Sequence, residues 1–266
     1  MPGSDRAGLL NALTPIMREA GELALIASKK PLKQWMKPGS SPVSEADIAV
    51  DNFLSTRLPP LLPDAGWLSE ETEDNPARLN AKAVWVVDPI DGTRAYLAQR
   101  PDWSISVALV ENGRPEIAAL YAPVTDELFA AVRGRGATVN GARLSVSPGD
   151  ELAGARFAGP KSYLTKLGEM APRVAPQAKV FSLALRLARV ANGELDGAFA
   201  SRNSHDWDLA AADLLVHEAG GMLTDLSGRT LTYNAADPVH TPLVAAGPAR
   251  HRALIELLRD RRGEFA

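Results

Sequence analysis

Near the start of the chain, apolar side chains recur every three or four positions. Leu9, Leu10, Leu13, Ile16, Met17, Ala20, Leu23, Ala24 and Ala27 fall on one face of a 3.6-residue period, which predicts a long amphipathic helix over residues 5–29. The polar stretch 37–43, with Pro38, Gly39 and Pro42, breaks that period and predicts a loop. Ser44 then stands where it can cap a second helix through Ala46, Ile48, Ala49, Phe53 and Leu54, ending before Pro59. From there the pattern changes. Residues 83–87 form a continuous apolar run, as in a buried strand, and 104–110, 117–121 and 128–132 read as successive strands. The segment Glu111-Asn112-Gly113-Arg114 predicts a hairpin turn, and 134–141 is rich in turn residues. Beyond residue 152 the pattern alternates: helix at 182–192, extended at 197–200, helix at 207–219 stopped by Gly220-Gly221, strand at 242–246, and a closing helix at 249–259. This order predicts layered helices and sheets, antiparallel in a first subdomain (1–145) and more α/β in a second (146–266).

Composition narrows the function. The 266 residues are 45% hydrophobic, enough for one large domain or two tightly joined subdomains. A net charge of −3 gives no basic field for gripping nucleic acid, and no nucleic-acid partner is expected. Without cysteine, disulfides, thiolate metal sites and a cysteine nucleophile are excluded. The opening residues lack a basic stretch followed by an apolar core, and the apolar runs are too short to cross a bilayer, so the expectation is a soluble cytoplasmic protein without a membrane partner.

The chemistry lies in the carboxylates. Asp88-Pro89-Ile90-Asp91-Gly92-Thr93 follows the buried run directly, which places two acids at the exposed end of a sheet. Proline fixes the turn and Gly92 allows close backbone approach. A helix starting at Thr93 would aim free N–H groups at the same spot, which suits an anionic phosphate. Ser69-Glu70-Glu71, Asp47 on the second helix, and Asp208 in Asp206-Trp207-Asp208 add further acids. Each fragment alone has a plainer reading: a solvated acidic loop, an exposed helix residue, a helix cap. Together, carboxylates without Cys or His partners suit a hard cation such as Mg²⁺, and divalent ions would relieve the mutual repulsion while creating a phosphoryl-transfer site.

In that order, Ser44-Glu45-Ala46-Asp47, Ser69-Glu70-Glu71, Asp88 to Thr93, Trp207-Asp208 and Ala219-Gly220-Gly221 resemble the inositol monophosphatase superfamily over essentially the whole chain. The resemblance implies a layered α/β/α/β/α sandwich, two or three Mg²⁺ ions per site, inhibition by Li⁺, and a homodimer acting on a small phosphorylated metabolite. It implies metal ligation by Glu70, Asp88, Asp91, Asp208 and the Ile90 carbonyl. Glu70 and Thr93 would position or deprotonate an attacking water, Asp47 would sit by a weaker metal, and Gly92 and Thr93 N–H groups would hold the phosphate with no covalent phosphoenzyme.

The substrate branch stays open. Arg94-Ala95-Tyr96 stands where inositol-type members usually show Thr-Asn-Phe, and 201–205 lacks the hydroxyl-binding glutamate of that branch. Ser182-Leu183-Ala184-Leu185-Arg186 resembles the Ser-Leu-Lys segment of bisphosphate nucleotidases, which makes Ser182 and Arg186 candidate substrate contacts beside Asp91 and Asp208. Arg186 on a solvated helix face is the plainer reading. An inositol-monophosphatase-like phosphatase, a 3′(2′),5′-bisphosphate nucleotidase, a histidinol-phosphate phosphatase and a catalytically silent binding module of the same fold all fit this pattern. Trp35, Trp67, Trp85 and Trp103 are expected in the core, and Asp91→Asn is expected to reduce turnover by orders of magnitude while leaving the fold intact.

Overall fold

The computed structural model describes residues 3–37 and 42–265. Helix α1 (Gly3–Ala27) lies two residues N-terminal to the predicted span and leads into a short antiparallel pair, β1 (Gln34–Met36) and β2 (Pro42–Ser44). The Ser44 hydroxyl accepts the Ala46 N–H and starts α2 (Glu45–Arg57), the capping role its position predicts. Of the predicted loop at 37–43, residues 38–41 lie outside the described residues.

A seven-stranded sheet follows, in the order β3 (Gly66–Ser69), β4 (Ala83–Asp91), β5 (Ser104–Glu111), β6 (Arg114–Ala122), β7 (Glu127–Val132), β8 (Ala137–Val139) and β9 (Ala142–Arg143). Its β3–β4 pair is parallel and the remaining pairs are antiparallel. Asn112 and Gly113, both at positive φ, make the tight turn between β5 and β6. The short helix α3 (Thr93–Leu97) leaves the end of β4.

The second half supplies β10 (Arg156–Ala158), α4 (Lys161–Thr165), β11 (Ala175–Pro176), α5 (Leu183–Ala191), β12 (Gly197–Ala200), β13 (Ser204–His205), α6 (Asp206–Glu218), β14 (Met222–Asp225), β15 (Val239–His240), β16 (Leu243–Ala246) and α7 (Pro248–Leu257). Five of these strands form a second sheet, β11-β10-β12-β16-β14, parallel on its β11–β10–β12 side and antiparallel beyond.

Strand periodicity explains the layering. In the large sheet Trp85, Val87, Ile105, Val107, Leu109 and Ile117 point to one face and bury Leu13, Met17, Val50 and Leu54 of α1 and α2. The intervening positions, Val84, Val86, Ala108, Val110, Ala118 and Leu120, face the other way onto α5 and α6. The far side of those two helices meets Ala158, Ala198, Ala200, Leu223 and Ala245 of the second sheet. That sheet's outer face, Phe157, Phe199, Val244 and Ala246, is covered by Leu254 and Leu258 with Phe265. The result is the α/β/α/β/α sandwich. Trp85 and Trp103 lie in the core as expected, whereas Trp35 is 46% exposed because β1 has only β2 as a partner, and Trp67 is half-buried. No helix among the described residues is long and apolar enough to cross a membrane.

Candidate active site

Strand β4 carries the centre of the site. In a regular strand, residues three apart point to opposite faces, so Asp88 and Asp91 would be separated. Here Asp88 pairs with Ser106 and Asp91 with Ser104, so β4 holds one residue more than β5 between these points. That bulge, at Pro89-Ile90, turns both carboxylates to the same side. Asp208, in the first turn of α6, completes a trio in which one oxygen of each residue lies within 4.8 Å of the others. The Asp208 carboxylate also accepts the His205 N–H at 2.6 Å, which fixes it to the start of its helix. The His205 ring stacks on Trp207, 4.5 Å between centroids and 5° from parallel.

Around the trio, Glu70, Gly92 and Thr93 line the same 300 Å³ cleft as Asp88, Asp91 and Asp208. Glu70 follows β3, where its N–H bonds the Val87 carbonyl of β4. The Lys37 ammonium donates to the Glu71 carboxylate at 2.6 Å, to the Glu70 carbonyl at 3.2 Å and to the Glu70 carboxylate at 3.3 Å. Asp47 is buried at the start of α2. Its Oδ2 accepts both the N–H and the hydroxyl of Ser44, and its Oδ1 accepts the Thr93 hydroxyl at 3.1 Å. The same hydroxyl lies 3.2 Å from the Ile90 carbonyl.

Electrostatics follow from burial. Loss of hydration, reinforced by Asp208, pushes the Asp91 carboxyl up to about 7 even though three hydrogen bonds hold it down. Burial also lifts Glu70 to about 7, against the pull of Lys37. Asp88 is raised well above the ordinary carboxylate range by burial and then by Glu70, Asp91 and Asp208. Glu70, Asp88 and Asp91 thus resist ionising together, a cost that a bound cation would relieve.

The family model for the inositol monophosphatase family matches residues 5–262. The chain belongs to the inositol monophosphatase family. The protein named Nus factor SuhB in Escherichia coli K12 is 31% identical over 95% of this chain and 96% of its own. Inositol-1-monophosphatase of Rhizobium meliloti is 35% identical over 84% of this chain and 87% of its own. The crystal structure of extragenic suppressor protein suhB from Bartonella henselae superposes with a TM-score of 0.84 at 28% identity, covering 96% of this chain and 99% of that one.

Members of this family are metal-dependent, and the donor set here suits a hard cation: carboxylate oxygens from buried Asp88 and Asp91 and half-buried Asp208, without sulfur or imidazole among them. In this inositol monophosphatase family member the outer positions read differently from the motif. Ser182, expected among the substrate contacts, is fully buried. Its hydroxyl donates to Asp91 Oδ2 at 2.5 Å, accepts the Leu185 N–H and lies 2.9 Å from the Ser104 hydroxyl, so it anchors Asp91 and has no surface to offer a substrate. Asp91 accepts the Leu183 and Ala184 N–H groups as well, so from β4 it helps the N-cap residue Ser182 to satisfy the first turn of α5. Arg186 does not lie on a solvated face. It is 9% exposed, because α5 is sandwiched between two sheets, and it lines an 850 Å³ cavity that opens beside Asp91 and Asp208.

Sequence reasoning missed Lys37, which lies in the predicted loop, and Asp51, which accepts the Ser69 and Thr72 hydroxyls and so steadies the loop bearing Glu70. It also missed Lys161 and Lys179 on the cavity wall. Asp51 had a signal, since it follows Asp47 by one helical turn. The two lysines had none, because isolated surface lysines carry no motif.

Proposed function

We propose that the protein is a Mg²⁺-dependent phosphomonoesterase acting on a small phosphate ester, in which water attacks phosphorus and the ester oxygen departs as an alcohol. The observation that carries this reading is the trio of Asp88, Asp91 and Asp208 gathered within 4.8 Å by the β4 bulge and the first turn of α6. In this reading the trio, Glu70 and the Ile90 carbonyl would hold divalent cations, which polarise the ester and stabilise developing negative charge when bound. Thr93 is well placed to orient the attacking water: its hydroxyl is held between the Asp47 carboxylate and the Ile90 carbonyl. Asp47 aligns that hydroxyl and accepts from it. Glu70, which lines the same cleft as the trio, is the side chain that would take the proton as water attacks. The N–H groups of Gly92 and Thr93, at the sharp turn out of β4, receive the phosphate. No side chain has to form a covalent phosphoenzyme.

Phosphate release with and without Mg²⁺ tests this reading, using inositol 1-phosphate, 3′-phosphoadenosine 5′-phosphate, histidinol phosphate and fructose 1,6-bisphosphate. Mg²⁺-dependent release that Asp88→Asn removes is the expected result. A folded protein that releases phosphate from no ester, p-nitrophenyl phosphate included, would sink the proposal and favour the silent binding module.

A further inference from the structure

Among the described residues Arg186 forms no ion pair, and the charge of Asp91 favours its guanidinium without a bond between them. Its Nη1 donates to the Phe199 carbonyl at 3.0 Å and its Nη2 to the Val180 carbonyl at 2.8 Å, both neutral acceptors, and its Nε has no partner. A guanidinium this deeply buried ordinarily faces a carboxylate or another anion. Asp91 lines the same cavity, but its oxygens already accept Ser182, Leu183 and Ala184, and in the proposed reaction its charge belongs to the cation.

The rest of the cavity has the same sign. Its acidic residues are Asp91 and Asp208, both at the end occupied by the trio, while Lys161 and Lys179 join Arg186 on its lining. Neither lysine forms an ion pair among the described residues. The Lys179 ammonium lies 4.2 Å from the centroid of the Phe181 ring, and Lys179 borders both this cavity and the acidic cleft. The remaining lining is mixed, with apolar Leu164, Val174 and Phe181 beside polar Gln177, Ser201 and Asn203.

We propose that this cavity takes a phosphate ester bearing a second anionic group on an apolar or planar body, with Arg186, Lys161 and Lys179 as its counter-charge. The inference rests on the proposed phosphatase reaction and names its substrate class. A phosphate ester of an uncharged polyol would leave the buried guanidinium without a bonded anion, and a volume of 850 Å³ fits a nucleotide-sized molecule. Arg186 is in this sense a specificity-determining residue.

Matched ester pairs, with and without the second anion, test it in the presence of Mg²⁺: adenosine 3′,5′-bisphosphate against adenosine 3′-monophosphate, and 2-phosphoglycerate against glycerol 2-phosphate. The expected result is a kcat/KM about tenfold or more higher for the doubly anionic member of at least one pair, as one charge-assisted contact would give. In Lys161→Ala/Lys179→Ala that ratio should fall about tenfold, mainly through KM, and Arg186→Gln should lower it further. Both lysines are exposed, so the double variant tests the idea even if Arg186→Gln fails to fold. Equal turnover within both pairs, or an unchanged ratio in the folded double variant, overturns the inference while p-nitrophenyl phosphate hydrolysis still upholds the reaction. Absence of Mg²⁺-dependent release from every ester overturns both.

Discussion

Asp91 has two roles that compete for the same oxygens. It belongs to the acidic trio, and it also helps to cap α5 by accepting Leu183, Ala184 and Ser182. An amide in its place would turn an NH₂ group toward donors, leaving buried groups unpaired at a cost of about 2–4 kcal/mol. Asp91→Asn is therefore expected to lower thermal stability as well as activity, contrary to the expectation from the motif alone. Asp88 accepts one backbone N–H, from Ile90, so Asp88→Asn is the cleaner test, with turnover lost and the melting temperature nearly kept. Gly92 sits at φ +93, and a Cβ there would lie 2.9 Å from the Ser182 nitrogen. Gly92→Ala should cost about 2 kcal/mol or more, from strain and the backbone clash, read as a fall in melting temperature. Acidity can be checked at this scale as well. Asp91 and Glu70 are raised to about 7, so without cations the folded chain holds extra protons from near the ordinary carboxylate range up to about 7. Their contribution to stability falls as pH rises through that window. Mg²⁺ needs the deprotonated ligands, so it should raise the melting temperature more at about pH 8 than at about pH 5.5. Equal shifts at both values would count against cation binding by these residues.

At the scale of elements, the buried side of a helix was legible where its other side is wet and not where both sides are covered. Leu13, Ile16, Met17 and Ala20 mark the buried stripe of α1 because its other side meets water. In α5, Ala184, Leu185, Arg186, Leu187 and Ala188 are all buried, so periodicity could not say on which side Arg186 falls. The β4 bulge was invisible for a different reason: the motif shows two acids three apart, but register depends on β5. Strands β10 and β11, of three and two residues, were too short to leave a pattern. Two motifs that are far apart in sequence also share a support. Arg78, 2% exposed, forms two hydrogen bonds with Asp74 beyond the Glu70 loop and reaches Asn234 at 2.6 Å. The Asn234 N–H bonds Asp206, next to the motif residues Trp207 and Asp208, and Asp206 is 2.7 Å from His240. Arg78→Ala should destabilise the protein by about 2 kcal/mol, since it removes a buried side chain and the Asn234 bond while exposed Asp74 is rehydrated. Chemical denaturation reads that loss, and a change below about 0.5 kcal/mol would mean the support is dispensable.

For the whole molecule, the alternation of strand and helix predicted layers, and the chain order of the acidic motifs gave their sequence only through the family resemblance. They did not show that α5 and α6, encoded late, are the inner cover of a sheet encoded early. That arrangement argues against independent halves. Residues 1–145 expressed alone would expose the Val84, Val86, Ala118 and Leu120 face to water, and residues 146–266 would expose the matching side of two helices. Each fragment is expected to aggregate or remain unfolded by circular dichroism, and a cooperatively folded fragment would refute the shared layer.

The cavity has a consequence for descent. Apart from Asp91 and Asp208, its lining comes from residues 159–186 and 201–204, whereas the acids of the proposed reaction come from residues 47–91 and from Asp208. Exchanges in one stretch of chain can therefore alter which metabolite is admitted while the chemistry is inherited unchanged. Among relatives that share this fold, diet can diverge faster than the reaction.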